Sequence, residues 1–294
     1  MFMNLALFGR SVTDPMLPYF QELVNKLEEI RGATCIYLPF YRQLEGRIRF
    51  RFKPEIFQHH SQIKEKIDFL CSIGGDGTIL DAVIQIGDSG IPIIAINMGR
   101  LGFLSGVSRD EILPALENIL KGNYTLENRT LLELHSPAGI FTDFPFALND
   151  LTIYKSDRQT MLTIRISING EFLNSYWADG LIIATPTGST AYSMSCTGPI
   201  VTPGSETFVI TPVASHNLTV RPIVIRDDCR ISITAEGESN EFFVTLDSRK
   251  QKVSTGTELE ITRASFEIRL VRLPGRHFFK TIREKLNWGL DARN

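Results

Sequence analysis

Along the first 120 or so residues, apolar positions alternate between two rhythms. Short continuous runs at Met3–Phe8, Ala33–Leu38, Phe69–Ile73 and Ile91–Ile96 read as buried strands. Between them, Leu17, Phe20, Leu23, Val24, Leu27 and Ile30 recur at helical spacing. Asp14-Pro15 ahead of that stripe predicts an N-cap followed by proline at the first helical position. Ser108 with Glu111 predicts a capping box that opens a helix through Leu113, Leu116, Ile119 and Leu120. Strand–helix alternation of this kind implies a mainly parallel sheet covered by helices, with ligands at the carboxyl ends of its strands.

After Gly122 the period changes to two. Leu162, Ile164, Ile166 and Ile168 alternate with Thr163, Arg165 and Ser167, and Asn169-Gly170 then supplies a two-residue hairpin turn. Similar alternation at Ile231 and Ile233, at Phe242–Leu246 and at Leu259–Leu273 predicts an antiparallel, all-β half. Phe278–Trp288 returns to helical spacing. The expected fold class is α/β plus all-β. A Rossmann-like, doubly wound domain spans 1–122, an antiparallel β-sandwich-type domain spans 123–275, and a helical segment at 276–294 packs back on the first domain.

Bulk composition narrows the partners. The 294 residues are 43% hydrophobic and 22% charged, ordinary for a globular protein with room for two cores. A net charge of −2 and a pI near 6.2 argue against nucleic acid or an anionic membrane as the main partner. Arg47, Arg49, Arg51 and Lys53 alternate with apolar residues and fit a solvated strand face at least as well as a phosphate site. No run of about 18 apolar residues offers a membrane span, and Met1–Arg10 has no signal-peptide pattern. Cys35, Cys71, Cys196 and Cys229 show no C-x-x-C spacing, so reduced thiols in a cytoplasmic protein are expected. The five histidines show no metal-ligand spacing, and no zinc or iron site is expected.

Candidate chemistry concentrates in four places. In IDFLCSIGGDGTIL, Ile67–Leu80, a strand ends in two glycines, a carboxylate, a glycine and a hydroxyl before a helix begins. Backbone can approach a phosphate closely there, with helix N–H groups aimed at it. Asp76 would repel such a ligand, so it is either a plain N-cap or a group that accepts a proton or holds a cation beside the phosphates. Asn97–Leu104 places two more glycines after a strand, as a simple loop or as a ligand contact. Asn149 and Asp150 together offer donors and acceptors for ribose hydroxyls or an adenine edge, or else form an Asx-type turn. Asp179–Pro203 leads from a carboxylate and a short buried strand, Leu181–Ala184, into about 18 residues dense in hydroxyls, glycine and proline. A loop of that length reads as a binding loop. Thr187, Ser189, Thr190, Ser193 and Ser195 would donate to diphosphate and sugar oxygens, and Tyr192 would offer a flat face to a base.

Together these blocks resemble the NAD kinase family, from about Met3 to Gly289 and in the family's order. The matching elements are Gly74-Gly75-Asp76-Gly77-Thr78, the N-x-G-x-L-G-F element at Asn97–Phe103, the Asn–acid pair Asn149-Asp150, and the D-G…TPTGSTAY-x-x-S…GP block at Asp179–Pro199. His216 with Arg221-Pro222 and the closing L-x-W-G at Leu286–Gly289 are similar to later family elements. The glycine turn is shared with diacylglycerol, sphingosine and 6-phosphofructo-kinases; the TPTGSTAY block is the specific signal. The chain departs from the family at Asp150 (where Glu is common), Cys196-Thr197, Ser215 and Ser248.

The resemblance implies phosphorylation of the adenosine 2′-hydroxyl of NAD by ATP or polyphosphate, with a divalent cation, Mg²⁺, held mainly by the donor's phosphates. It implies Asp76 as general base, with Asp76 and Gly77 also among the residues that bind the dinucleotide. Asn149 and Asp150 would sit at the adenosine and ribose, Asp179 on the nicotinamide side, and Thr190, Ala191, Tyr192, Ser193, Met194 and Ser195 at the adenine and ribose. It also implies a homodimer or homotetramer. The other readings are a diacylglycerol-type lipid kinase, or a non-catalytic NAD(P)-binding regulator. A carboxylate with a reference pKa near 3.9 is a weak base toward a sugar hydroxyl, so Asp76 would take the proton late, as a loose phosphoryl-transfer state develops.

Overall fold

The computed structural model of the chain describes residues 3–30, 32, 34–99, 102–104, 106–136, 139–156 and 161–288. Arg100 and Leu101 of the N-x-G-x-L-G-F element, and Gly289 of L-x-W-G, lie outside the described residues. Contacts divide the chain into two units, Met1–Asn128 with Ile268–Asn294, and Arg129–Glu267.

In the first unit the short apolar runs become β1 (Leu5–Gly9), β2 (Thr34–Tyr37), β3 (Glu55–Phe57), β4 (Phe69–Gly74) and β5 (Ile93–Asn97). They pair in parallel in the order β3-β2-β1-β4-β5. Helices α1 (Leu17–Glu29), α2 (Leu38–Leu44), α3 (Asp76–Ile86) and α4 (Ile112–Leu120) accompany the sheet. Every residue of β1 and β5 is buried, which is why those strands read as continuous apolar runs rather than alternating ones. The stripe Phe20, Leu23, Val24 and Leu27 of α1 joins Leu5, Leu7, Ile36 and Phe40 in one core. Full burial of each such side chain is worth roughly 1.5–3 kcal/mol. The winding reverses between β1 and β4, so the carboxyl ends of these two strands, at Gly9-Arg10 and Gly74-Gly75-Asp76, form the switch point where doubly wound sheets bind ligands.

Three local expectations are corrected. Asp14 caps nothing: a single 3₁₀ turn, Asp14–Met16, precedes α1, and the Asp14 carboxylate instead meets the Arg47 guanidinium at 2.5 Å, a charge-assisted partner stronger than a neutral N–H. The second strand stops at Tyr37, because Leu38-Pro39 begins α2, a helix too short to show a stripe beyond Phe40 and Leu44; Ala33 lies outside the described residues. Arg47–Lys53 is irregular, not a strand. Side chains of α1 satisfy its backbone: Gln21 bonds the Arg49 N–H at 2.8 Å and its carbonyl at 2.9 Å, and Glu28 accepts the Arg51 N–H at 2.6 Å. The capping box at Ser108 and Glu111 forms, on a 3₁₀ turn leading into α4.

After the short β6 (Val107–Ser108) and α4, strand β7 (Thr125–His135) leads into the second unit, where it pairs with β8 (Phe146–Ala147). The remaining strands are β9 (Asp150–Lys155), β10 (Leu162–Ile168), β11 (Glu171–Ala178), β12 (Gly180–Ala184), β13 (Thr207–Val213), β14 (Ile223–Arg226), β15 (Ile231–Glu236), β16 (Glu241–Leu246), β17 (Arg249–Ser254) and β18 (Glu258–Arg272). One antiparallel sheet runs β14-β13-β12-β9-β16-β17, and a second layer runs β11-β10-β15 and then the first half of β18. Leu151, Ile153, Leu181, Ile183, Phe208 and Val244 of the one face Ile164, Ile166, Ile231, Ile233 and Ile261 of the other in a shared core. This is the sandwich the period-two pattern implies. The Asn169-Gly170 turn has φ of 52° and 82°, the left-handed pair that a type I′ hairpin requires. Strand β12 is buried on both faces: Leu181 and Ile183 enter the sandwich core, while Ile182 and Ala184 pack with Val209 against Cys196, Val201 and Val213. The segment after β12 therefore covers that sheet's outer face.

The last described helix, α6 (Phe278–Leu286), belongs to the first unit and buries Ile282. Arg276, just before it, bonds Glu111, and Val271 and Leu273 join the first core. Among the described residues no helix is long and apolar enough to cross a membrane.

Candidate active site

Asp76 is the first residue of α3, with Gly75 at the N-cap position. It does not cap its own helix. Its Oδ2 accepts the N–H of Phe103 at 2.7 Å and its Oδ1 that of Leu104 at 3.3 Å. The two glycine-bearing elements, far apart in sequence, thus meet at one carboxylate. Gly102 lies so close that a Cβ there would overlap the Asp76 carboxylate. The loop is opened by the buried Asn97, whose Oδ1 accepts the Gly99 N–H at 2.7 Å. Gly77 packs beside the guanidinium of Arg10, which pairs with Asp81 of α3. That bond holds the Arg10 guanidinium above its usual pKa. The start of α3 therefore presents a fixed anion, a fixed cation and the positive end of a helix dipole within a few residues. Arg10 was invisible as a site candidate in the sequence; its position one residue past β1, at the switch point, is the signal that could have found it.

In the second unit, Asn149 and Asp150 enter β9. The Asn149 main chain is held on both sides: its N–H donates to Asp247 at 2.7 Å and its carbonyl accepts the Thr185 N–H at 2.9 Å. Its partly exposed side chain has no hydrogen-bond partner among the described residues. No Asx turn forms. Asp150 is 6% exposed and accepts the Thr152 hydroxyl at 3.0 Å. Burial first, then the Asp247 charge, pushes its carboxyl up to about 7, against the Thr152 bond that lowers it. A carboxyl raised in the folded state destabilises the fold increasingly as pH climbs from its unfolded value toward 7 and beyond. Asp150→Asn is therefore expected to melt higher than the parent at pH 8, with the advantage shrinking toward pH 5. Thermal melts at the two pH values check this; an advantage that grows on acidification would contradict the assignment.

The hydroxyl-rich segment after β12 is more built than a mobile loop would be. A 3₁₀ turn, Gly188–Thr190, runs into the short helix α5 (Tyr192–Ser195). Ser189 and Ser193 are fully buried and Thr187 nearly so. Ser189 Oγ donates to the Pro186 carbonyl at 2.7 Å and accepts the Val201 N–H at 2.9 Å, Ser193 bonds Thr211 at 2.8 Å, and Thr187 accepts from Arg129 at 3.2 Å. These hydroxyls, expected as ligand donors, hold the segment's own turns together. A backbone that cannot enter a sheet needs such internal partners when it is buried. Thr190, Ala191 and Met194 are partly exposed, and Tyr192 and Ser195 exposed. Gly188 rests directly on the Asn149 carbonyl, with no room for a Cβ. The Asn–acid pair and the TPTGSTAY block are therefore one construction.

Asp179, between β11 and β12, pairs with Lys155 at 2.6 Å. The Cys196 N–H donates to the Tyr192 carbonyl at 3.2 Å, and the Tyr192 phenol is raised first by burial, then by Cys196, Asp150 and Asp179. Asp150, Asp179 and Cys196 thus all act on the Tyr192 phenol, and Asp150 acts on Cys196 as well. Asp247 and Arg249 were missed in the sequence, because their partners lie about a hundred positions upstream. The one sequence signal was the aspartate itself, standing in a tight hairpin turn.

A carboxylate at the head of a glycine turn on a doubly wound sheet, in a chain whose second unit joins amide, carboxyl and aromatic groups on a hydroxyl-braced segment, marks a nucleotide-dependent kinase. Comparison with known proteins makes the class specific. Residues 148–273 match the ATP-NAD kinase C-terminal domain and residues 49–124 the ATP-NAD kinase N-terminal domain. NAD kinase from Cytophaga hutchinsonii is 43% identical over 293 residues, covering 99% of this chain and 100% of the relative. NAD kinase from Bacteroides fragilis is 41% identical over 291 residues, with the same coverage. A crystal structure of yeast NADH kinase complexed with NADH superposes with a TM-score of 0.87 at 25% identity, over 99% of this chain and 89% of that one. An NAD kinase from Archaeoglobus fulgidus in complex with ATP gives 0.71 at 25% identity, over 97% and 99%. The chain belongs to the NAD kinase family. It is an enzyme, a transferase that uses ATP as donor and NAD as acceptor.

Proposed function

We propose that the protein transfers the γ-phosphoryl group of ATP to the 2′-hydroxyl of the adenosine ribose of NAD, with Asp76 as the group that accepts the hydroxyl proton. The observation that carries this reading is the fixed carboxylate at the start of α3, oriented by the N–H groups of Phe103 and Leu104. Its orientation is determined before substrate arrives, and no reorganisation is needed as charge moves. Asp76 is too weak a base to form an alkoxide beforehand, so it takes the proton as the phosphoryl group departs from its donor, and alignment supplies most of the acceleration.

Asn149 and Asp150 bind the adenosine and its ribose, the side chain of the one standing on a main chain fixed from two sides. A carboxyl at Asp150 that titrates near neutrality can donate as well as accept a hydrogen bond. Asp179 serves the nicotinamide side. The 190–195 segment, with Tyr192 exposed, lines the adenine and ribose, while Ser193 braces it from below. Among the described residues no three His, Cys, Asp or Glu side chains converge. The divalent cation, Mg²⁺, belongs to the donor substrate and rides on its phosphates. We read the protein as cytoplasmic, a reading supported by its four free thiols, of which Cys35 and Cys71 are buried, and as a homodimer or homotetramer, as the family resemblance implies.

Incubation with NAD, ATP and magnesium is expected to yield NADP, and chelation of the cation to stop it. Replacing ATP by polyphosphate, and NAD by NADH, in the same assay determines donor and acceptor preference. No NADP with any nucleoside triphosphate or polyphosphate would sink the proposal.

A further inference from the structure

We infer that Asp247 is a positioning residue for the dinucleotide: from the tip of the β16–β17 hairpin it clamps the Leu148–Asp150 backbone and so sets the geometry of the Asn149 and Asp150 side chains. The inference rests on the reading of those two residues as adenosine- and ribose-binding.

On the β12 side β9 is paired from Asp150, opposite Ala184, but on the β16 side pairing begins only where Leu151 meets Leu246. The Asp247 side chain extends that side to the residues before Leu151. Its carboxylate accepts the N–H of Leu148 at 3.0 Å, of Asn149 at 2.7 Å and of Asp150 at 3.3 Å, and its own N–H donates to the Asp150 carbonyl at 3.0 Å. The next strand residue, Arg249, donates to the carbonyls of Phe144 and Phe146 and lies over the Phe141 and Phe144 rings. One hairpin tip thus grips the segment from Phe144 to Asp150. From the other side, Thr185 donates its hydroxyl to the Leu148 carbonyl at 2.5 Å, and Gly188 abuts Asn149.

Turn chemistry by itself does not ask for an aspartate here. Of the two turn residues only Asp247 has positive φ, 52°. That is the pattern of a type II′ hairpin, whose first central position favours glycine. A side chain kept at a glycine position, with its carboxylate on three consecutive N–H groups, serves those groups rather than the turn.

The clamp also places a second negative charge beside Asp150. The titratable groups facing Asp150 are Asp247 from the hairpin and Tyr192 and Cys196 from the segment after β12; burial raises the Asp247 carboxyl, opposed by the three N–H groups it accepts and by Arg249, and Thr152 is the hydrogen-bond partner on Asp150's own strand. Removing the Asp247 charge should let Asp150 ionise at lower pH.

The test compares Asp247→Asn and Asp247→Gly with the parent enzyme. Asparagine keeps one acceptor and tolerates the left-handed turn; glycine adopts that turn without strain and so stays assayable if asparagine does not fold. The expected result is a KM for NAD raised at least about tenfold in both variants, with the KM for ATP within about twofold. In Asp247→Asn the pH-dependent limb of the NAD KM, near neutrality in the parent, should move to lower pH. A general loss of structure would raise both KM values together and leave the limb in place, and that outcome overturns the inference. So does an NAD KM within twofold of the parent. Asn149→Ala separates the two levels. If it leaves the NAD KM unchanged, the assignment of Asn149 fails; if it raises the KM while the Asp247 variants do not, only the positioning role fails.

Discussion

Asp76→Asn is expected to lower kcat by at least about a hundredfold while NAD binds with near-parental affinity. The amide is nearly isosteric, so the packing against Gly102 is kept. What is lost is the capacity to accept a proton. One of the two N–H groups, that of Phe103 or Leu104, would also face an NH₂ instead of an oxygen. That mismatch turns the side chain, while the proposed NAD-binding residues Asn149 and Asp150 keep their own contacts. Steady-state kinetics together with calorimetric NAD titration separate the two effects. A fall in kcat of less than about tenfold would refute the base role, since general acid–base catalysis is typically worth 10²–10⁴. Parallel losses of kcat and NAD affinity would instead make Asp76 a binding residue.

Gly188→Ala should be the most damaging small substitution in the second unit. The added methyl group would fall on the Asn149 carbonyl, a backbone atom already bonded to the Thr185 N–H and unable to swing aside. Overpacking of this kind costs typically 1–3 kcal/mol. For a chain of this size that corresponds to a drop in Tm of roughly 2–5 °C. The strain lies against the residue proposed to read the adenosine, so the KM for NAD should rise by more than the KM for ATP. A variant with parental Tm and parental NAD KM would show that the contact between the TPTGSTAY block and the Asn–acid pair is dispensable.

The strands and helices were legible where burial is periodic along the chain. Strand β10 announces itself by Ile164 and Ile166 against Thr163 and Arg165, and α1 by its stripe, because a neighbour's side-chain direction follows from geometry alone. The glycine turn at Asp76 and the Asn169-Gly170 hairpin were legible because few residues tolerate those backbone conformations. The fate of individual polar groups was not legible. Asp14 looked like a cap and is an ion-pair partner; Ser189 and Ser193 looked like ligand donors and are internal braces. In each case several partners of similar local merit competed, and a residue distant in sequence won.

The amino-acid sequence by itself determined the two kinds of sheet, the family and the reaction class, since these depend on local backbone demands and on motif order. Only the tertiary structure decided that Asp76 rests on the Phe103 and Leu104 amides, that Asp247 grips the Asn149 main chain and that Gly188 seals it from the other side. These contacts join residues from 27 to 98 positions apart, and no periodicity or propensity encodes such pairs. They follow from which strands lie side by side, and that is set by burial of the whole core at once.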